Sequence, residues 1–216
     1  MAASPYFAQY CTFKTTDKSS GAFLLSADSL IGDDMEIRFE VVDGRQVACL
    51  WNRFGHPVGQ LDRSITHQLL LCQADGWELH AILSAVLFSE EGNSSYYWGE
   101  AAIMCFSKRY AKEFNAFKDG ICKLLRSGKR PLITLKKQGI DSVISSGGSW
   151  IPKDREPKRK LEEGTIVVKD YLKYDERLVE MARNKNIGCM IIGWLFIFAL
   201  IALAGYVIWN LVLRFA

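Results

Sequence analysis

The residues able to do covalent or metal chemistry are few and scattered. Histidines stand at 56, 67 and 80, and cysteines at 11, 49, 72, 105, 122 and 189. No H-x-x-x-H, H-x-H or C-x-x-C spacing puts two ligands on one helix face or one turn, so no metal is expected. G-x-S-x-G, G-x-x-x-x-G-K-[ST] and G-x-G-x-x-G are also missing, so neither a nucleophile elbow nor a phosphate-cradling loop is read, and no cofactor is expected. Triads assemble in space rather than in sequence, which leaves Cys72 with His67 or His80 as a cysteine-hydrolase candidate. Against it, apolar strands and helices bury cysteine simply as a small hydrophobe. The expectation is a protein without catalytic residues.

Charge is the stronger chemical signal. The whole chain carries a formal +3, but residues 1–107 hold 6 Lys and Arg against 13 Asp and Glu, and residues 108–137 hold 10 against 2. Nucleic-acid affinity comes largely from neutralised phosphates, so the first stretch repels a polyanion and the second attracts one. Lys108, Lys112, Lys118, Lys123, Arg126, Lys129 and Arg130 are the candidate contacts, with Tyr96, Tyr97 and Trp98 as stacking faces for unpaired bases. Two other readings stay open. The same cations gain about 1 kcal/mol each beside an anionic lipid surface. Charges on a helix face are also commonly just solvated, and aromatic residues opening a strand are commonly core.

The elements that must position these groups begin with a β-rich half. Pro5–Phe13 and Ala22–Ser26 are apolar runs split by the polar turn Thr15–Gly21. Met35–Val42 and Arg45–Asn52 alternate in polarity around Asp43-Gly44, the favoured two-residue hairpin turn. After a turn at Asn52–Gly55, Asp62 stands as a helix N-cap, Ile65, Leu69 and Leu70 share a face, and Gly76 marks the exit. Trp77–Phe88 and Tyr96–Cys105 read as strands around the polar loop Ser89–Ser95. From 107 to 127 the period changes: Tyr110, Phe114, Phe117, Ile121 and Leu124 form a helical stripe, with Gly128 as C-cap. Leu132–Leu135 reads as a terminal strand, residues 138–168 as a flexible linker and Asp170–Ala182 as a short helix.

A strand, a turn, Val58-Gly59-Gln60-Leu61, Arg63 in a short helix, and a strand after Gly76 together resemble the HIRAN domain over about residues 20–107. The resemblance implies a small β-barrel related to SH3-like and OB folds. Family domains attached to helicase-like remodellers bind the 3′ end of single-stranded DNA, and Gln60 and Arg63 fall where the pattern places polar and basic contacts. Residues 42–48 read Val-Asp-Gly-Arg-Gln-Val-Ala, where the family has Asn-Pro-x-Asp-x-Asn-Ala in the loop that helps form the end-binding pocket.

The remaining feature is the C-terminal stretch. Ile187 to Leu213 is 27 residues without a formal charge, about 40 Å as a helix against a hydrocarbon core of about 30 Å. Trp194, Tyr206 and Trp209 suit interfacial belts, and Arg183 and Lys185 precede the stretch while only Arg214 follows it within the last three residues. The combined expectation is an α+β chain with a mostly antiparallel β-barrel, a short helix, a longer basic amphipathic helix and one C-terminal transmembrane helix. Residues 1–137 would be the cytoplasmic domain, 169–186 a juxtamembrane segment and 187–213 the contact with the bilayer. The domain would serve as a recognition module for single-stranded nucleic acid, or as a protein-protein adaptor.

Overall fold

Buried Tyr6 and Ala8, then Cys11 and Phe13, make β1 (Tyr6–Lys14) the central stave of the barrel. The structure is a computed structural model and describes residues 4–91, 94–157, 159, 161–183 and 194–201. After β1 the chain enters α1 (Lys18–Leu25), where the Asp17 side chain accepts from Ser20 N at 2.7 Å. The run Ala22–Ser26 is therefore the end of a capped helix rather than a strand. Next, β2 (Asp34–Val42) and β3 (Arg45–Trp51) form the expected hairpin, with φ of +50° at Asp43 and +72° at Gly44. Positive φ at both central residues is what this turn requires, and its twist suits the strands.

β4 (Pro57–Leu61) carries the Val-Gly-x-Leu run, and its glycine has a steric cause. A Cβ on Gly59 would lie 2.5 Å from Phe13 Cδ2 and 2.6 Å from the carbonyl of Lys14, and one on Gly99 would also strike the Phe13 ring. Phe13 is thus pressed between two strands with nothing but backbone in its way, and is 1 % exposed. β5 (Glu78–Glu91) and β6 (Ser94–Phe106) are the long staves. The sheet runs β2-β3-β4-β1-β6-β5, and β5 returns to β2 through Ile82 opposite Asp34 and Ala81 opposite Met35. Six antiparallel strands therefore close into a barrel, which removes their open edges.

Helices cover the barrel. α2 (Arg63–Ala74) starts on Asp62, whose carboxylate accepts from Ile65 N at 2.9 Å, and buries Ile65, Thr66, Leu69 and Cys72. After a 3-10 turn at Lys108–Tyr110, α3 (Ala111–Arg126) buries Phe114, Phe117, Ile121, Cys122 and Leu125. Phe114 stacks on Tyr6 of β1 at 4.8 Å and on Phe106 of β6 at 5.4 Å, and Gly128 ends the helix at φ +76°.

Beyond α3 the chain is a strap laid on the barrel wall. Leu132–Leu135 makes no ladder with β1: side-chain hydrogen bonds join the two, and Leu132 N donates to the carbonyl of Asp154 at 3.1 Å. Tyr10 and Tyr6 donate to the carbonyls of Pro131 and Ile133, and Thr134 donates to the carbonyl of Ala8. Within 138–168, read from sequence as a flexible linker, lie most of α4 (Lys137–Ser145) and all but the last residue of β7 (Thr165–Lys169), which pairs with β5. Gly148, at φ +84°, packs so tightly on the carbonyl of Glu113 that no side chain fits there.

The chain divides into two units, Met1–Leu172 and Lys173–Ala216. In the second, α5 (Tyr174–Arg183) accounts for the expected short helix, and residues 194–201 are helical and exposed. The expected transmembrane helix is corrected here: among the described residues no helix is long and apolar enough to cross a membrane. The described part of 187–213 is residues 194–201. Trp194 falls in this helix, 56 % exposed. Ile187, Tyr206, Trp209 and Leu213 lie outside the described residues.

Candidate functional site

The sequence-predicted cations fall into two groups. Lys118, Arg126 and Arg130 are engaged inside the first unit. Lys118 Nζ lies 2.8 Å from Asp34 Oδ2, and His80 Nδ1 is 2.8 Å from the same oxygen. Burial pushes the Asp34 carboxyl up, but hydrogen bonds and charge from His80 and Lys118 outweigh it and hold the group below its ordinary range. Arg126 donates to the carbonyl of Gly32 at 3.2 Å and stands 3.9 Å from Asp33. These residues line an open cleft of about 480 Å³ in which Asp33, Asp34 and Asp119 face Arg53, Lys118, Lys123 and Arg126. Seven charges of mixed sign make a self-neutralising surface.

Arg130 is spent on the strap. It donates to Glu100 through Nε at 3.2 Å and Nη2 at 2.9 Å, lies 4.1 Å over the Tyr10 ring, and reaches the carbonyl of Pro157. Arg159 donates to Glu100 as well, at 3.1 Å. Burial raises the Glu100 carboxyl, and the two guanidiniums with Ser84 bring it below the usual range. Lys108, Lys112 and Lys129 are exposed, lie outside that cleft and remain available to a polyanion, whereas exposed Lys123 lines the cleft.

The aromatic trio divides by strand alternation. Tyr97 sits 4.9 Å from Phe88 and beside Gly21 of α1, as a packing residue. Tyr96 and Trp98 point to the opposite face, with Tyr96 37 % exposed and Trp98 Nε1 donating to Ser89 Oγ at 2.8 Å.

Arg63 has neighbours that the sequence reading missed. It is the first residue of α2 and lines a cleft of about 420 Å³ with Arg45, Gln46, Thr66 and His67 above Leu61 and Leu70. None of its lining residues is acidic. Among the described residues no hydrogen bond or ion pair engages the guanidinium of Arg45 or of Arg63, and both residues are exposed. Unpaired guanidiniums beside an imidazole suit a phosphate or carboxylate, since each presents forked donors with no competing acceptor. His67 had a sequence signal, because it follows Arg63 by four residues and so shares its helix face. Arg45 had none beyond its place after the turn, in the stretch that departs from the family pattern. Gln60 does not line this cleft. Its ladder partners are Lys14 and Cys49.

The cysteine-hydrolase arrangement does not form among the described residues. Cys72 is on the buried face of α2, where Gln68 and Cys105 are its hydrogen-bond partners, while His67 is exposed and His80 faces Asp34. No group of three His, Cys, Asp or Glu among the described residues is arranged to hold a metal ion. No family model, no curated protein and no solved structure matches the chain.

Proposed function

We propose that the barrel is a non-enzymatic recognition module that binds single-stranded nucleic acid, with backbone phosphates on Arg45, Arg63 and His67. The observation that carries the reading is the cleft itself. Two exposed guanidiniums without an acidic partner share it with an imidazole, whereas the mixed-charge cleft beside α3 neutralises its own cations. Exposed Lys108, Lys112 and Lys129 add long-range attraction, which falls with salt.

The test is fluorescence anisotropy of a labelled oligothymidine titrated with the full chain at about 50 and 200 mM salt. The double variant Arg45→Ala with Arg63→Ala should weaken binding about tenfold or more and flatten the log-log salt slope by about 1.4, the share of two single-strand phosphate contacts. Absence of binding at the lower salt sinks the reading. It would favour the second one, a protein-protein adaptor, for which the motivating observation is the excess of 13 acidic over 6 basic residues in 1–107.

A further inference from the structure

A hydroxyl joins the barrel wall to the strap above it. Ser89 Oγ accepts from Trp98 Nε1 and lies 2.7 Å from Thr165 Oγ1 of β7. Beside this bridge is a recess of about 320 Å³, with Lys14, Tyr96 and Trp98 on its wall and Glu162 and Thr165 on its roof. Lys14 stands opposite Trp98 in the β1–β6 ladder, so their side chains share a face, and Tyr96 joins them two residues along. Among the described residues no ion pair engages Lys14 or Glu162, although both line this one recess.

An ammonium beside two aromatic rings is the combination that holds an unpaired nucleotide, with a π face for the base and a cation for the phosphate. The roof has the opposite chemistry. Glu162, which lines the same recess as Lys14, is followed by Glu163, and these carboxylates repel a phosphate that approaches. The roof is tied to β5, since Thr165, Ile166, Val167 and Lys169 pair with it and Glu90 N donates to the carbonyl of Gly164 at 3.1 Å, which fixes Glu162 beside the recess.

We propose that this recess is a second contact site for an unpaired nucleotide, whose affinity the charge of Glu162 lowers. The inference rests on the single-strand reading above and adds a second contact to it. It is tested with the full chain and the same labelled oligothymidine at about 50 mM salt. Glu162→Ala should tighten binding about fivefold, the effect of removing one repelling surface charge. Adding Lys14→Ala to it should cancel the gain, with circular dichroism confirming that both variants fold. Binding that responds to Arg45 and Arg63 but not to Glu162 or Lys14 overturns the recess and leaves the cleft standing. Binding that ignores Arg45 and Arg63 yet tightens in Glu162→Ala overturns the cleft and supports the recess. An oligonucleotide bound by no variant overturns both.

Discussion

Arg130 and Glu100 meet through two parallel hydrogen bonds, Nε to Oε1 and Nη2 to Oε2, and a second guanidinium, Arg159, donates to Oε1 from 59 residues away in sequence. Glu100 is 6 % exposed, and Ser84 Oγ completes its shell at 2.6 Å. One carboxylate thereby pins both ends of residues 130–159 to the barrel wall. That explains how a stretch rich in Ser, Gly and charge is ordered.

Glu100→Gln should destabilise the fold by about 3 kcal/mol, because it leaves two largely buried guanidiniums without their counter-charge. The wild type should show the matching acid transition. The folded Glu100 carboxyl is held below its unfolded range, so its contribution is complete above about pH 4.3 and disappears as pH falls below that through the folded value. Urea melts of both proteins at pH 7 and pH 3 check this. A difference that persists unchanged at pH 3 would refute it.

Gly59→Ala should lower Tm by about 6 °C, on a cost of about 2 kcal/mol for an overpacked core. The new methyl would meet Phe13 and the backbone carbonyl of Lys14, and a backbone atom cannot rotate away. Gly139→Ala in α4 is the contrast, since its Cβ would come no nearer than 3.4 Å to Leu135 and helix propensity favours alanine. It should leave Tm level or raise it. Thermal melts followed by circular dichroism decide, and equal shifts in both variants would count against the Phe13 account.

These two cases show what was legible in the sequence. Asp43-Gly44, Asp62 and the Phe114–Phe117–Ile121 stripe announce themselves because turn, cap and helix face are local and set by a few adjacent residues. Residues 130–169 do not, because their order comes from partners distant in sequence: Glu100 for Arg130 and Arg159, Glu113 for Gly148, β5 for β7. The same limit divides the basic segment. Sequence counts Lys118, Arg126 and Arg130 as free charge, and only the fold brings Asp34, Asp33 and Glu100 to them.

That division is itself testable. Lys112→Ala with Lys129→Ala, both exposed, should leave stability within about 0.5 kcal/mol and reduce the salt slope of oligonucleotide binding. Lys118→Ala should instead cost stability, since Asp34 loses a partner 2.8 Å away. The loss should shrink as acid protonates Asp34, whose carboxyl is held low in the fold. Denaturant midpoints and anisotropy on the same preparations separate the roles. A destabilised Lys112, Lys129 double variant would undo the distinction.

The cysteines give a prediction that needs no ligand. The described five are free and buried. Burial pushes Cys11 and Cys122 up to about 12 and Cys49 to about 11, so these stay protonated thiols. Cys72 differs, because the thiol of Cys105 donates to it and Gln68 Nε2 approaches at 3.8 Å, which together hold it below its ordinary range while Cys105 is pushed up. The thiolate is the reactive form, so brief iodoacetamide treatment of the native chain should label Cys72 ahead of Cys11, Cys49, Cys105 and Cys122. Its rate should rise at a lower pH than that of Cys49, and Gln68→Leu should move that rise upward. Peptide mass spectrometry reads each site separately. Equal labelling of Cys72 and Cys122 at pH 7.5 would mean that the Cys105 hydrogen bond does not set the reactivity of α2.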